Sequence, residues 1–159
     1  MANQLDVKKQ IDAVFNIANT LRGTYQPDKY RDVILPMIIL RRIECALADT
    51  KDAVCEAYEA NHDIAEAMLR RKSGYPFYNT SKWTLAKLLG DAPQLSANLT
   101  TYIDAFSLNI KQIFSDLEFD KEIKKMHKGA KLTGVVRKFS EFDLDPVRVN
   151  HPPPGRGGG

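Results

Sequence analysis

The feature that most constrains this chain is one apolar run, Val33–Leu40, with Pro36 in its middle. The run is too short to span a bilayer, which needs about 20 apolar residues. A central β-strand is disfavoured, because Pro36 has no N–H to donate to a sheet ladder. In a helix these side chains point almost all round the axis, and such a helix has to be covered on every side.

Helical signals flank the run. Pro27 suits a first helical position, and Asp28 and Asp32 complement the positive end of the helix dipole. We therefore predict one buried helix from about Asp28 to Asp49. It should be kinked at Pro36, whose ring displaces the hydrogen bond to the Asp32 carbonyl. The other elements are expected to pack around this central helix.

The remaining apolar residues recur at helical spacing, without strand alternation or an internal repeat, so the predicted fold class is all-α. Thr50, Ser81 and Asn109 are predicted N-caps, and a helix break is expected near residues 61–63. The stripe predicted for the first helix consists of Ile11, Val14, Phe15, Ala18 and Leu21, and Gly23 should end that helix.

Length and composition indicate one ordinary globular domain. The chain has 159 residues, of which 43% are hydrophobic and 27% charged. We predict a compact multi-helix domain over residues 1–149 and a disordered Pro/Gly-rich tail over 150–159, either a linker or a remnant of cloning. The absence of a signal-peptide pattern and two cysteines without paired spacing favour a cytoplasmic protein with no membrane contact.

Charge is unevenly distributed along the chain. The net charge is +3, but residues 1–66 carry a net −3 and residues 67–139 a net +7. This asymmetry predicts that the second half meets a polyanion. The alternative is a plain solvated surface.

The sharpest cationic feature is a set of four lysines that helical spacing places on one side of a helix. We call this set the lysine face; its members are Lys121, Lys124, Lys125 and Lys128. Lys131 follows closely, and the predicted core side consists of Phe119, Ile123, Met126 and Ala130. Such a stripe neutralises DNA phosphates and releases their counterions. Asp120 and Glu122 partly offset the charge, so a solvated face is the competing interpretation.

A second cationic segment interleaves basic and aromatic residues between Arg70 and Trp83. Its candidate nucleic-acid contacts are Arg70, Arg71 and Lys82. The aromatic residues Tyr75, Phe77, Tyr78 and Trp83 could stack on unpaired bases, but we favour the interpretation that they pin the loop to the core.

No catalytic, metal or cofactor site is predicted from the residues. The cysteines and histidines, namely Cys45, Cys55, His62 and His127, lack the spacing of metal ligands. No Gly-rich strand-to-helix turn is present that could hold a nucleotide.

Three stretches together resemble a known family. They are Phe15–Gly23, Tyr30–Ile43 and Asn98–Asn109, the last followed by Ile113 and Phe114. In this order they are similar to the N-terminal helical domain of the modification (methyltransferase) subunit of type I restriction-modification systems. The similarity runs from about Leu5 to Val149.

The resemblance implies a parent subunit that methylates adenine in double-stranded DNA with S-adenosylmethionine. In the family, catalysis and cofactor binding belong to a following α/β domain, whose Gly-containing loop and Asn-Pro-Pro-aromatic loop are both missing here. His151 interrupts the only related stretch. The chain alone is therefore expected to be inactive and to bind no cofactor.

Two hypotheses follow from the resemblance. The first is a non-catalytic domain that helps to close the complex around DNA and packs on the catalytic domain of the same subunit. Its phosphate contacts are predicted at Lys124, Lys125, Lys128 and Lys131, with Arg70, Arg71 and Lys82 second. The alternative is a docking module that contacts only protein, namely the catalytic domain and a second modification subunit. The resemblance also implies a separate specificity subunit as a partner that reads the DNA sequence.

Overall fold

A computed structural model describes the backbone of residues 2–142 and the side chains from Lys8 onward except Gln10. Within that part the chain forms nine α-helices and three short 3₁₀ turns, so the all-α prediction is confirmed. The turns are Pro27–Lys29, Ala48–Thr50 and Leu89–Gln94. The helices are α1 Ala2–Leu21, α2 Arg31–Leu47, α3 Lys51–Ala60, α4 Glu66–Ser73, α5 Leu85–Leu88, α6 Leu95–Asp104, α7 Leu108–Asp116, α8 Phe119–Lys128 and α9 Leu132–Ser140.

The apolar run forms the middle of α2, with Pro36 inside the helix. The predicted Pro-kinked central helix is confirmed, although 3₁₀ turns replace its first and last residues. Val33, Met37 and Leu40 are fully buried, and α2 packs on both α8 and α9. The expected covering on every side is incomplete, because Ile34, Ile38 and Ile39 are only partly buried and 43% of the surface of Leu35 is exposed.

The core consists of one large cluster and one small one. The large cluster joins α2 to α5, α6, α8 and α9, and its fully buried side chains include Met37, Leu99 and Phe139. The small cluster contains Val54, Leu69 and Tyr78, between α3, α4 and the loop that follows α4. The predicted break near residues 61–63 is confirmed, because α3 ends at Ala60 and α4 begins at Glu66.

Helix α1 corrects the predicted stripe. It packs on α9 through Ile17 and Leu21, which are fully buried. Ile11 and Phe15 were predicted to belong to the stripe, yet they are 50% and 66% exposed. The apolar residues of α1 extend over more than half of its circumference. Spacing alone therefore did not show which of them are buried, and the predicted stripe was centred on the wrong side.

The predicted N-caps are only partly correct. Thr50 does precede α3, but its hydroxyl donates to the Ser73 carbonyl instead of capping the helix. The prediction of Ser81 is wrong: α5 begins after Thr84, whose Oγ1 accepts the Lys87 N–H at 3.1 Å. The prediction of Asn109 is also wrong, because α7 begins two residues earlier than predicted, after Ser107.

Tertiary contacts explain the last difference. The Ser107 N–H donates to the Tyr78 carbonyl at 2.9 Å, and the Ser107 Oγ accepts the Tyr78 N–H at 3.2 Å. These two hydrogen bonds fix Ser107 against the loop after α4. The pairing spans 29 residues of sequence, so local capping rules could not foresee it.

A buried carboxylate links several helices. Glu44 on α2 is 5% exposed, and its Oε2 accepts the Tyr102 hydroxyl and the Leu85 N–H, each at 2.7 Å. Its Oε1 pairs with Arg41, whose Nε donates to the Phe142 carbonyl at 2.7 Å. Glu44 thus connects α2, α5 and α6, and its partner Arg41 adds Phe142, two residues beyond α9. Burial, followed by the charge of Glu44, raises the pKa of Tyr102 well above its ordinary value, so its hydroxyl stays a donor.

Lys51, at the start of α3, extends this network. Its Nζ lies 5.3 Å from the centre of the Tyr102 ring and 3.5 Å from the Asn79 Oδ1. The Asn79 amide in turn donates to the Tyr102 carbonyl at 2.9 Å. Burial lowers the pKa of Lys51 from 10.5 to about 8, and the nearby Glu44 carboxylate partly opposes that shift.

We expect Leu40→Ala to lower the free energy of unfolding by about 2–5 kcal/mol, as truncation of a fully buried leucine does. Ile38→Ala is the matched control on the same helix, because Ile38 is only partly buried and should cost less. Urea unfolding of both variants tests this. If both substitutions lowered the free energy of unfolding equally, the two sides of α2 would be equally buried, which would contradict the structure.

Lys51 should make stability depend on pH. Its pKa in the folded chain lies below its ordinary value, so the unfolded chain binds more protons between pH 8 and 10.5. The free energy of unfolding contributed by this group therefore rises with pH across that window. Urea unfolding at pH 7.5, 8.5 and 9.5 should show wild type gaining stability relative to Lys51→Met. If the free energies of unfolding of wild type and Lys51→Met differed by the same amount at all three pH values, the lowered pKa of Lys51 in the folded chain would be contradicted.

Candidate nucleic-acid interface

Helix α8 separates an apolar side from a cationic side. Phe119, Ile123 and Met126 are buried, whereas all four members of the lysine face are exposed. Ala130 was predicted to continue the core side, and that prediction is wrong. The helix ends at Lys128, and Ala130 is exposed with a φ of 60° in the turn to α9.

The four lysines differ in what they contact. Lys121 pairs with Glu118 at 3.4 Å, and the Lys125 Nζ lies 4.2 Å from the centre of the Tyr25 ring. Lys124 and Lys128 make no ion pair or hydrogen bond with any side chain that the structure describes. These two are therefore the members of the face most available to an external anion.

Tyr25 anchors α8 to the turn between α1 and α2. It is buried, and its hydroxyl donates to the Glu122 Oε1 at 2.8 Å. Burial, followed by the hydrogen bond to Glu122, raises the pKa of Tyr25, so the hydroxyl remains protonated. With Lys125 over its ring, Tyr25 holds one carboxylate and one ammonium of α8 in place.

Sequence reasoning missed Tyr25. It lies 97 residues before Glu122, and no local pattern connects the two. Glu122 was interpreted only as a charge that offsets the lysines, whereas its carboxylate also accepts this hydrogen bond.

Lys131 lies in the turn between α8 and α9. Its N–H donates to the Met126 carbonyl at 2.8 Å, which keeps it beside the end of α8. Its side chain is partly exposed. The last turn of α8 also contains Lys125, His127 and Lys128, and cations at that end favour the helix dipole. A stabilising role within the helix is thus the competing explanation for part of the charge.

The second cationic set lies elsewhere in the fold. Arg70 pairs with Glu66 at 3.3 Å and donates to the Pro76 carbonyl at 3.3 Å, whereas Arg71 and Lys82 are exposed. Helix α4 packs on α3, while α8 packs on α2, α6, α7 and α9. The structure therefore places Lys121 to Lys131 along α8 and the turn after it, on a different helix from Arg70 and Arg71.

The aromatic residues of the loop after α4 serve packing, as the favoured interpretation predicted. Tyr75 and Phe77 stack with ring centres 5.2 Å apart and lie partly buried against the core, as does Trp83. Tyr78 is buried, and its hydroxyl donates to Glu66 at 3.1 Å. The loop is thus pinned to the domain by its rings, whereas its cation Lys82 is exposed.

No helix among residues 2–142 combines the length and the hydropathy that crossing a bilayer requires.

Comparison with known proteins gives one match. A family model described as the HsdM N-terminal domain matches residues 12–139, which is most of the chain. No curated protein and no solved structure matches the chain. The matched range contains all three stretches on which the resemblance was based. The chain therefore belongs to the HsdM N-terminal domain family, the N-terminal domain of the methyltransferase subunit of type I restriction-modification systems.

Proposed function

We propose that this domain helps to close a type I modification complex around double-stranded DNA, and that the lysine face of α8 supplies phosphate contacts. The observation that carries the proposal is the pair of exposed cations Lys124 and Lys128, which have no ion-pair or hydrogen-bond partner among the described side chains and lie on a helix whose opposite side is buried. Each phosphate that such a lysine neutralises releases condensed counterions and adds affinity at low salt.

The chemistry of the exposed side of α8 indicates what kind of contact it makes. Its exposed residues are Asp120, Lys121, Lys124, Lys125, His127 and Lys128. Among them is no aromatic ring on which an unpaired base could stack, and no Arg, Asn or Gln that could read a base edge with two hydrogen bonds. The proposed contact is therefore to the backbone and independent of sequence, which leaves sequence reading to the specificity subunit.

Catalysis belongs to the rest of the parent subunit in this proposal. Residues 2–142 form helices and turns, so this part offers no strand-to-helix Gly loop that could hold S-adenosylmethionine. We place that cofactor, and the methylation of adenine, in a catalytic domain of the same subunit, on which the helical domain packs.

The alternative is a docking module that contacts the catalytic domain and a second modification subunit, without touching DNA. Exposed apolar side chains favour it. Leu108 at the start of α7 is 68% exposed and Met68 on α4 is 40% exposed, and a protein contact would bury them.

The lysine face can be tested in the reconstituted modification complex. We expect Lys124→Gln/Lys128→Gln to reduce the slope of log affinity for duplex DNA against log salt by about 1.8, which is about 0.9 for each lost phosphate contact. The loss should be alike on specific and unrelated duplexes, because the contacts read no bases. Stability should change by less than about 0.5 kcal/mol, since both side chains are exposed.

Two control variants make the result specific. Lys8→Gln/Lys9→Gln removes the same charge from exposed positions of α1 and should leave the slope unchanged. Lys125→Gln should lower stability, because it removes the cation over Tyr25. If the Lys124/Lys128 variant keeps the wild-type slope while folded, the DNA contact is rejected and the docking alternative leads.

A further inference from the structure

Glu122 and Lys125 lie three residues apart on α8, a spacing at which opposite charges commonly form an ion pair. Among the described residues, however, no carboxylate forms an ion pair with Lys125. At the same spacing on the same helix, Lys121 does pair with Glu118, at 3.4 Å. What distinguishes Glu122 and Lys125 is that both contact Tyr25, which comes from another part of the chain.

Tyr25 contacts the two charges through different parts of its side chain. Its hydroxyl donates to the Glu122 Oε1 at 2.8 Å, whereas the Lys125 Nζ lies 4.2 Å from the centre of the ring. Tyr25 is buried and Glu122 is half-buried, but Lys125 is exposed. The carboxylate is therefore directed to a buried hydroxyl, while Lys125 remains at the surface.

The backbone holds Tyr25 beside α8. The turn after α1 passes through Gly23, whose φ of 93° favours glycine, and the Tyr25 N–H donates to the Leu21 carbonyl at 3.0 Å. A Cβ built on Gly129 would lie 2.9 Å from the Thr24 Oγ1, so this turn packs closely against the end of α8. None of these contacts involves the Tyr25 hydroxyl. We therefore expect a phenylalanine ring to take the same place.

We propose that Tyr25 is a positioning residue for the lysine face: its hydroxyl holds the Glu122 carboxylate away from Lys125 and leaves that ammonium available to a phosphate. The inference rests on the proposed function for the identity of the anion. Without the hydroxyl, the carboxylate loses its partner, and Lys125 is the lysine at pairing distance along α8. Lys121 and Lys124 are one and two residues from Glu122, and side chains at those spacings do not face each other.

Competitive acetylation of the full 159-residue chain with acetic anhydride tests this separation without DNA. An ion-paired amine reacts more slowly than an unpaired one, and Lys124 in the same molecule is the internal reference. We expect Tyr25→Phe to lower the ratio of Lys125 to Lys124 acetylation about twofold, which corresponds to an ion pair at this spacing. In the Glu122→Gln background, Tyr25→Phe should leave the ratio unchanged, because no carboxylate remains to pair.

Tyr78→Phe is the matched control for the acetylation ratio. It also removes a tyrosine hydroxyl that donates to a glutamate, at 3.1 Å from Glu66, but on α4 rather than α8. The ratio should stay at the wild-type value. Urea unfolding of each variant verifies that the chain is folded under the labelling conditions.

The reconstituted modification complex tests whether the separation serves DNA binding. Tyr25→Phe should weaken affinity for duplex DNA at low salt by about twofold, for the same reason as in the labelling experiment. In the Glu122→Gln background, Tyr25→Phe should have no such effect. A general loss of stability would weaken binding in both backgrounds, so the comparison separates positioning from support of the fold.

Three results would overturn the proposal. They are an acetylation ratio that Tyr25→Phe leaves unchanged, a fall of equal size with and without the Glu122 carboxylate, and a fall in the ratio with no loss of DNA affinity. The proposed function is tested separately by the salt slope of Lys124→Gln/Lys128→Gln. If that slope stays at the wild-type value, the DNA contact fails, whereas the acetylation ratio still decides whether Tyr25 separates the two charges.

Discussion

The carboxylate of Glu44 is the interaction on which the arrangement of helices most depends. A carboxylate out of water is costly unless it is paired and hydrogen-bonded, and here each oxygen has partners. The partners come from different elements: Arg41 one turn before it on α2, the first N–H of α5, and the hydroxyl of Tyr102 on α6. Apolar packing alone would allow these helices to slide, whereas the directional hydrogen bonds fix their relative positions.

The same frame determines what the domain presents to its surroundings. Helix α2 packs on α8, and Tyr25, just before α2, bonds to Glu122 and supports Lys125. The buried side of α8 is fixed by these contacts, so its lysine side is held outward without any contribution from ligand. A cationic helix of this kind suits contact with a DNA backbone, because the backbone that carries the lysines is already ordered before binding.

Much of this fold follows from local patterns in the sequence. The kinked α2, the break between α3 and α4, and the two sides of α8 could be predicted because each depends on spacing within one segment. The family could be recognised for a similar reason, because the resemblance depends on three stretches that occur in a fixed order along the chain. The lysine face was likewise identified by spacing, although its phosphate contacts remain a prediction.

What could not be predicted depends on partners distant in sequence. Ser107 precedes α7 because it pairs with Tyr78, and the stripe of α1 was misassigned because the position of α9 decides which face is buried. Glu44 did leave a signal, since it continues the buried positions Met37 and Leu40 at helical spacing. A carboxylate in such a row indicates a buried polar network, but its partners Leu85 and Tyr102 are 41 and 58 residues away.

The most direct test of this account is the free energy of unfolding of Glu44→Gln, measured by urea at pH 7. Glutamine keeps the shape of the side chain but leaves Arg41 without its counter-charge and replaces one acceptor oxygen with a donor. We expect a loss of about 3–5 kcal/mol, the usual cost of removing one partner from a buried ion pair. Glu56→Gln, at an exposed position of α3, should change stability by less than about 0.5 kcal/mol. A Glu44→Gln chain as stable as wild type would contradict the claim that this carboxylate holds the helices together.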